Sequence, residues 1–216
     1  MKIIEPSFEI LTKISDGGIE ELKHLEKIGR VCYKSEDKIT EDGESAKKFI
    51  GGLISKGHEA MIEHGSISVK FICDRGVSHE LVRHRIASFA QESTRYCNYS
   101  KDKFGNELTF IVPWFFNRDQ RDMDKFNTWS YSMQQAENVY MKLLDLGATP
   151  QEARSVLPNS LKTEITVTAN YREWRAIFKL RTAQAAHPQM REIMQPLLDE
   201  FKHRIPVLFD DISYEV

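Results

Sequence analysis

The chain has 216 residues, of which 41% are hydrophobic and 29% charged, with 12 Phe, 7 Tyr and 3 Trp. This length favours one domain, and the aromatic content suffices for a sizeable core, which excludes a disordered chain and a disulfide-stapled miniprotein. Lys and Arg total 30 against 32 Asp and Glu, a net charge of -2. A chain so balanced lacks the basic field of a general nucleic-acid binder, so any anion site must be a local concentration of arginine.

In chain order, residues 3–14 predict one or two edge strands. Apolar residues at helical spacing then predict a helix over 19–31 and another over 49–57. Strict alternation over 66–73 predicts a half-buried strand. The next segment predicts a helix over 78–89, with Ser78 as its N-cap.

The second half of the chain begins with a short strand over 108–112, which Pro113 stops. A long amphipathic helix is predicted from about Asp119 to Leu146, with Gly147 as its stop. Thr149 and Glu152 form the pattern of a capping box. The remaining predicted elements are a strand over 161–169 and helices over 171–181 and 189–204.

The three cysteines, Cys32, Cys73 and Cys97, are far apart and form no C-x-x-C pair, which indicates neither a disulfide framework nor a zinc knuckle. The first residues, MKIIEPSFEI, are too charged for a signal peptide. No apolar run reaches the roughly 18 residues of a membrane-spanning helix. These features predict a reduced, cytoplasmic protein with no membrane partner.

The densest polar cluster extends from Arg83 to Tyr96. On the predicted helix, Arg83 and Arg85 lie about 200° apart, so they flank an extended anion or serve two ligands. The Gln91–Arg95 segment offers amide, hydroxyl and guanidinium groups, which suit a polar heterocycle and a phosphate. The alternative interpretation is a solvated helix face followed by a polar loop.

A second cluster occupies the predicted 171–181 helix, where Arg172, Arg175 and Lys179 share one face. Asn170 stands where a strand passes into this helix, a common place for phosphate capture. Arg154 lies near another helix start, which is unfavourable without an anionic partner. The alternative is an ordinary helix in which charges pair locally.

The segment His58–His64 approaches the zinc motif H-E-x-x-H, but Ile62 stands where the second histidine belongs. We therefore predict no metal site, and His58, Glu63 and His64 bind another ligand or hold a loop. The chain has no G-x-S-x-G elbow, no Walker A loop and no cysteine in a recognisable activating context.

Arg83-His84-Arg85, followed by seven residues and Ser93, resembles the signature of the flavin-dependent thymidylate synthases. Further matching segments follow the family's order and span most of the chain: Gly57-His58-Glu59 with Glu63-His64, Ala153-Arg154-Ser155-Val156-Leu157-Pro158, Asn170 with Arg172, and Arg181. The resemblance implies one α+β domain over 1–216, with a mainly antiparallel sheet flanked by helices.

The activity that the resemblance implies is the reductive methylation of dUMP to dTMP. Methylenetetrahydrofolate would donate the carbon and FAD reduced by NADPH the hydride, with no cysteine nucleophile. Members of the family are homotetramers whose active sites lie between subunits. The rival from another class is a nucleotide or nucleic-acid binding module without catalysis, built on Arg95, Tyr96 and Tyr99.

Site residues carry over by position. For the cofactor they are His58, Ala60, Glu63, Arg83, His84, Arg85, Gln91, Asn170 and Arg172. For dUMP they are Glu80, Arg83, Gln91, Glu92, Ser93, Thr94, Arg95, Arg154 and Arg181. Arg181 would also be catalytic, polarising the uracil ring for carbon transfer.

The sequence departs from the family pattern at four of its positions. Glu80 stands where Gln is common, and Ala176 where Asn or His often reaches the flavin. Ala60 offers FAD only its backbone. The spacing to His187 differs from that of some members, so this residue receives no assigned role.

Overall fold

A computed structural model of the chain describes residues 1–117 and 123–214. Its helices are α1 (Ile19–Val31), α2 (Glu44–Ser55), α3 (Arg75–Leu81), α4 (Trp114–Asn117), α5 (Met123–Asp145), α6 (Pro150–Ala153), α7 (Tyr171–Arg181), α8 (Pro188–Arg204) and α9 (Pro206–Phe209). Its strands are β1 (Lys2–Ile4), β2 (Ser7–Ile10), β3 (Ser66–Asp74), β4 (Ala87–Gln91), β5 (Thr109–Ile111) and β6 (Lys162–Asn170). Within the described ranges, every helix is too short or too polar to span a bilayer.

The larger sheet has the strand order β2-β3-β6-β4. Its central pair is antiparallel, because Ser68 and Thr168 join their hydroxyls at 2.7 Å while the Arg75 amide donates to the Asn159 carbonyl, so the numbering runs in opposite directions. β1 and β5 form a separate parallel pair. The α+β class and the mainly antiparallel sheet are therefore as predicted.

The described residues divide into two compact units. Unit 1 comprises residues 1–8, 70–84 and 89–166, and unit 2 comprises residues 9–69, 85–88 and those from 167 onward. The boundaries fall inside the four strands of the larger sheet and between His84 and Arg85. That the whole chain is a single domain stays a prediction.

The core of unit 1 forms where the long helix α5 covers β5 and the loop before it. Met133 and Tyr140 are spaced seven residues apart on α5, which places them on one face. The Tyr140 ring packs on Tyr99 at 6.0 Å between centroids. The buried cluster consists of Tyr99, Leu108, Phe110, Met133, Tyr140, Ala153 and Leu161.

The core of unit 2 is an aromatic cluster between α7, α8 and α9. Trp174 and Phe178, one turn apart on α7, both contact Phe201 of α8, at 5.3 and 4.9 Å between ring centroids. Phe209 of α9 completes the cluster at 5.0 Å from Phe201. These buried rings fix α7, whose opposite side carries predicted site residues.

A close backbone approach joins the start of β3 to the start of α7. The Tyr171 amide donates to the Gly65 carbonyl at 3.1 Å. A Cβ on Gly65 would overlap the buried Tyr171 ring. Only glycine therefore fits here without a shift. The short 3₁₀ helix Glu59–His64, which precedes Gly65, lies beside α7.

Two strands and one helix follow the predicted pattern closely. Every second side chain of β3 from Ile67 to Cys73, and of β6 from Thr163 to Ala169, is buried. Helix α7 spans the predicted residues 171–181, and Asn170 caps it by accepting from the Glu173 amide at 2.8 Å. Alternation and cap chemistry are both local, so the sequence contains them in full.

The predicted helix over 78–89 is wrong in its N-cap and in its length. Asp74, not Ser78, caps α3, accepting from the Val77 amide at 2.9 Å, and the helix ends at Leu81. Residues 87–91 instead form β4, and the Glu92 amide just beyond it donates to the Glu164 carbonyl of β6 at 2.8 Å. Pairing with the sheet overrides local helix preference, so Arg83 and Arg85 lie in a turn and not on a helix.

The remaining elements differ from prediction mainly at their ends. The N-terminal region forms two strands, and α2 begins at Glu44, five residues earlier than predicted. The predicted start of the long helix near Asp119 lies outside the described residues, and α5 is described from Met123 to Asp145. Gly147 ends it with φ of 90°, as predicted.

Candidate functional site

Unit 1 has an open cavity of about 470 Å³ that two distant segments build together. Arg154, in the turn after α6, donates from Nη1 to Thr94 Oγ1 at 3.3 Å. The lining residues are Arg75, His79, Thr94, Gln151, Arg154, Ser155, Leu157, Pro158 and Asn159. None of these described lining residues is Asp or Glu, so the cavity favours an anion.

The position of Arg154 follows from the local sequence. Thr149 and Glu152 form the predicted capping box, with the Glu152 carboxylate accepting from the Thr149 amide and hydroxyl at 2.7 Å each. These hydrogen bonds lower the pKa of Glu152. The capped helix α6 lasts one turn, and the chain then brings Arg154 into the cavity.

Arg75 is a cavity residue that the sequence interpretation missed. Its Nη1 is buried and has no hydrogen-bond partner among the residues of 1–117 and 123–214. A buried guanidinium nitrogen without a partner is costly, so this atom indicates a ligand oxygen. No sequence signal pointed to Arg75, because the predicted helix began only at Ser78, whereas the structure begins it at Arg75.

Gln91 and Glu92 line a second cavity of unit 1, of about 700 Å³. The Gln91 amide nitrogen donates to Ser78 Oγ at 2.9 Å and to Thr163 Oγ1 at 3.2 Å. The Glu92 carboxylate accepts from the Tyr99 hydroxyl at 2.7 Å. Its other oxygen accepts from Lys162 Nζ at 3.0 Å.

This second cavity carries a ladder of alternating charges. Lys162 also donates to Glu164 at 2.7 Å, and Glu164 is 3.1 Å from Lys70. Burial alone would lower the pKa of Lys162, but the bonds to Glu164 and Glu92 outweigh it and raise that pKa. Burial and the Glu92 carboxylate raise the pKa of Tyr99, which keeps its hydroxyl a donor.

Ser93, Thr94 and Arg95 form a turn just beyond β4. The Tyr96 and Cys97 amides donate to the Ser93 carbonyl at 3.1 and 2.9 Å, and the Arg95 amide donates to Ser93 Oγ at 3.4 Å. Arg95 is exposed, with its guanidinium 5.5 Å from the centre of the Tyr96 ring. The turn thus presents Ser93 and Arg95 in neighbouring positions.

The thiols offer no activated nucleophile in this unit. Burial raises the pKa of Cys73, and burial together with Glu92 raises that of Cys97. A raised pKa disfavours the thiolate, which is the reactive form. This agrees with the sequence, in which no cysteine stands in a recognisable activating context.

Three predicted residues lie in or just after α3. Glu80 is half-buried on its last turn, Arg83 is exposed in the following turn, and His84 is buried. The Arg83 and His84 amides donate back to the carbonyls of Glu80 and Leu81, both at 3.2 Å. This tight turn holds the backbone of the first two signature residues.

In unit 2, α7 and the short 3₁₀ helix Glu59–His64 bring several predicted cofactor residues together. Arg172 donates to Glu63 at 2.5 Å, which raises the pKa of Arg172. Asn170 lies two residues before Arg172, with its side-chain oxygen used in the cap. His58, Ala60 and Arg85 are exposed.

Arg175, on the same face of α7, is a structural residue. Its side chain is 2% exposed, and its two Nη atoms donate to the Asp211 carboxylate at 2.6 and 2.7 Å. Nε donates to Glu59 at 3.0 Å, and Nη1 also donates to the Leu208 carbonyl. The predicted shared face of Arg172, Arg175 and Lys179 is confirmed, but Arg175 is buried whereas Arg172 and Lys179 are exposed.

The last site residues of unit 2 surround the end of α7. Arg181 is half-buried in the final turn, and Ala176 is exposed on the helix. His187 caps α8, its Nδ1 accepting from the Gln189 amide at 3.3 Å. A capping role accounts for His187 without a ligand.

The structure thus joins some predicted residues and separates others. Thr94 meets Arg154 in one cavity of unit 1, whereas Gln91 and Glu92 line the other. Glu63 meets Arg172 in unit 2. Several residues that line the two cavities were left out of the site by the sequence interpretation, among them Arg75, His79, Tyr99 and Lys162.

Residues 19–207 match the Thy1 family, described as thymidylate synthase complementing protein. The flavin-dependent thymidylate synthase of Pyrococcus furiosus is 32% identical over 177 residues, which cover 82% of this chain and 70% of that protein. The enzyme of the same name from Geobacter sulfurreducens is 33% identical over 187 residues, covering 84% and 78%.

A solved structure also resembles the chain. It is the UMP/dUMP methylase PolB from Streptomyces cacaoi bound with 5-Br dUMP, with a TM-score of 0.79. The likeness covers 97% of this chain and 96% of that chain at 22% sequence identity. At this identity the likeness shows the fold alone.

Proposed function

The chain belongs to the flavin-dependent thymidylate synthase family, and from this we propose that it converts dUMP to dTMP by reductive methylation. The reaction balances as dUMP, methylenetetrahydrofolate, NADPH and a proton giving dTMP, tetrahydrofolate and NADP⁺. A bond forms between C5 of uracil and the methylene carbon, the C5 proton leaves, and the two bonds from that carbon to folate nitrogens break.

The observation that carries the proposal is the cationic cavity of unit 1. Thr94 and Arg154, assigned to dUMP from separate segments of the sequence, are in contact there. Arg75 lines the same cavity, its buried Nη1 has no hydrogen-bond partner among the described residues, and none of the lining residues is Asp or Glu. A phosphate dianion fits this donor set, because guanidinium groups bind phosphate oxygens through charge-assisted hydrogen bonds.

The nucleoside would lie along the segment that contains Ser93 and Arg95. The turn at 93–96 presents a hydroxyl and an exposed guanidinium side by side. Arg83 and Glu80 are assigned to the same substrate, with the Glu80 carboxylate suited to a sugar hydroxyl. We assign the side-chain carbonyl of Gln91 to dUMP as well, because the amide nitrogen of the same side chain already donates to Ser78 and Thr163.

The residues present fit an FAD cofactor, whose pyrophosphate needs several cationic donors. Unit 2 offers the exposed guanidiniums of Arg85 and Arg172, with Asn170 at the N-terminus of α7. Arg83 and His84 are assigned to the cofactor by the family resemblance. Further contacts are assigned to His58, Ala60, Glu63 and Gln91. When bound, FAD reduced by NADPH would supply the hydride that completes the methyl group.

Arg181 is the residue we assign to catalysis. A cation held against the uracil ring stabilises the negative charge that develops as C5 attacks the methylene carbon. Electrophilic assistance of this kind takes the place of a cysteine nucleophile. The raised pKa of both Cys73 and Cys97 supports such a mechanism.

The proposal includes a homotetramer with active sites at subunit interfaces. Two large apolar side chains beside assigned ligands support it, since Ile86 next to Arg85 is 70% exposed and Tyr96 next to Arg95 is 77% exposed. Cys32, Cys73 and Cys97 are all free thiols, which supports the predicted cytoplasmic location.

The decisive experiment uses the purified full chain. Its absorption spectrum should show a flavin, retained or taken up from added FAD. NADPH oxidation should then depend on dUMP, and dTMP should form when methylenetetrahydrofolate is added. Arg181→Ala should abolish dTMP formation while flavin binding largely survives.

Two results would contradict this function. A protein that neither contains nor binds flavin is not this enzyme. Formation of dTMP by Arg181→Ala at near the wild-type rate would remove the assigned role of Arg181.

A further inference from the structure

Both carboxylate oxygens of Glu92 are engaged by protein donors. Oε1 accepts from the Tyr99 hydroxyl at 2.7 Å, and Oε2 accepts from Lys162 Nζ at 3.0 Å. The Glu92 amide is also bonded, to the Glu164 carbonyl at 2.8 Å. This side chain is therefore committed to the protein and does not present a carboxylate to an anionic nucleotide.

The clamp formed by Glu92, Tyr99 and Lys162 lies at the point where the chain leaves the sheet. Lys162 is the first residue of β6, and Glu92 directly follows β4. Tyr99 comes seven residues after Glu92, beyond the Ser93–Arg95 turn. The Tyr99 bond thus closes the segment around the turn onto the Glu92 carboxylate, and the Lys162 bond ties that carboxylate to β6.

The donors of the clamp are themselves held in place. The Tyr99 side chain is buried, and its ring packs on Tyr140 of α5 and on Phe104, with centroids 6.0 and 5.5 Å apart. The Lys162 side chain is 19% exposed and the Glu92 side chain 13% exposed. Charge-assisted bonds shielded from water are strong, and they keep their geometry.

We propose that Tyr99 and Lys162 are positioning residues that hold Glu92, and through it the segment Gln91–Arg95, in the geometry that binds dUMP. The proposal rests on the proposed function, because it assigns the clamped segment to dUMP. It replaces a direct contact of the Glu92 carboxylate with dUMP. A binding segment misplaced by about 1 Å can lose up to about a hundredfold in efficiency, so loosening the clamp weakens substrate use without removing any ligand atom.

The test compares Tyr99→Phe and Lys162→Met with Lys70→Met in the FAD-loaded enzyme. Lys70 lies on the same charge ladder, but its ion pair is with Glu164. Calorimetry gives the dUMP dissociation constant, kinetics give kcat and KM, and thermal melting reports folding. We expect the dissociation constant and KM for dUMP to rise about tenfold in each clamp variant, with retained flavin and a smaller change in kcat.

Two further variants sharpen the result. Lys162→Arg keeps a cationic donor and should restore most of the dUMP affinity. The double variant Tyr99→Phe with Lys162→Met should lose less than the product of the two single losses, because both act through Glu92. Lys70→Met should bind dUMP within about twofold of the wild type.

The proposal is overturned if Tyr99→Phe and Lys162→Met bind dUMP as the wild type does. It is equally overturned if Glu92→Gln weakens dUMP binding while Tyr99→Phe and Lys162→Met do not, since the carboxylate would then be a direct ligand. Parallel losses of flavin, kcat and melting temperature would mean a general structural role and would also overturn it. Wild-type protein that does not bind dUMP at all overturns the proposed function itself, and that measurement comes first.

Discussion

Two arginines of α7, three residues apart, have different roles: Arg175 stabilises the fold, and Arg172 is assigned to ligand binding. Arg175 is buried and bonded to Asp211 and Glu59, whereas Arg172 is 53% exposed beside Glu63. Arg175→Met removes the buried guanidinium that binds Asp211, Glu59 and the Leu208 carbonyl, and it should lower the free energy of unfolding by about 1.5–3 kcal/mol. Arg172→Met should change it by less than about 1 kcal/mol, because exposed ion pairs contribute little.

These two variants are matched in chemistry, so denaturant unfolding and flavin titration of both give a direct comparison. Arg172→Met should lose flavin affinity at unchanged stability. If Arg175→Met unfolded like the wild type, the buried network would not support α7 as described. If Arg172→Met bound FAD normally, Arg172 would not be a cofactor residue.

Arg154 is the single residue on which the substrate cavity depends most directly. It is exposed and donates to Thr94, so Arg154→Ala should leave stability nearly unchanged. A hydrogen bond to a charged group contributes about 1.5–3 kcal/mol, so dUMP affinity should fall about 10- to 100-fold by calorimetry. Gln151→Ala, at an exposed position lining the same cavity, is the control, and equal losses in both variants would argue against a phosphate contact.

At the scale of secondary-structure elements, the N-cap at Asp74 fixes the start of α3, the helix that leads into the turn at Arg83 and His84. Asp74 accepts from the Val77 amide, so Asp74→Ala should lower the free energy of unfolding by about 1 kcal/mol or more. Asp74→Ser keeps a capping oxygen and should recover most of that loss in urea unfolding. A full loss in both variants would mean that Asp74 acts through contacts other than the cap.

Elements whose signals are local could be predicted, and those that depend on distant partners could not. Alternation along β6 and the helical spacing over 171–181 need only neighbouring residues, and both predictions are confirmed. Residues 87–91 became a strand because Glu164, more than seventy residues later, pairs just beyond them. Helical spacing placed Arg175 on a face with Arg172, but only the distant Asp211 shows why Arg175 is buried.

The same reasoning explains which parts of the site were found. The signature and its matching segments identified Thr94 and Arg154 by resemblance, and the fold brings them together. Arg75 escaped notice because a single basic residue in a turn has no pattern. The clamp on Glu92 was equally invisible, since Lys162 reaches it from 70 residues away.

At the scale of the whole molecule, acid should unfold the protein by protonating paired carboxylates. Hydrogen bonds from Arg175 lower the pKa of Asp211 below its ordinary 3.8, and those from Lys162 lower that of Glu164 below 4.5. A lowered native pKa contributes stability that is complete above the ordinary value and is lost as pH falls through the native one. The free energy of unfolding should therefore decrease from near pH 4.5 downward.

Asp211→Asn tests this pH dependence, because it removes one of the titrating groups. Its unfolding free energy should be lower than that of the wild type at neutral pH and should depend less on pH below 4. An unchanged slope would show that Asp211 does not contribute to acid unfolding.

The lining of the cavity at Arg154, which contains Arg75 as well and no Asp or Glu, has a practical consequence for anyone who handles the protein. Arg154 reaches the solvent there, so mobile ions screen its attraction for a dianion, over about 10 Å at 0.1 M salt. Raising sodium chloride should weaken nucleotide capture steadily, and inorganic phosphate should compete for the same donors beyond its effect on ionic strength. A phosphate buffer would then mask the very affinity being sought, so assays belong in a dilute zwitterionic buffer.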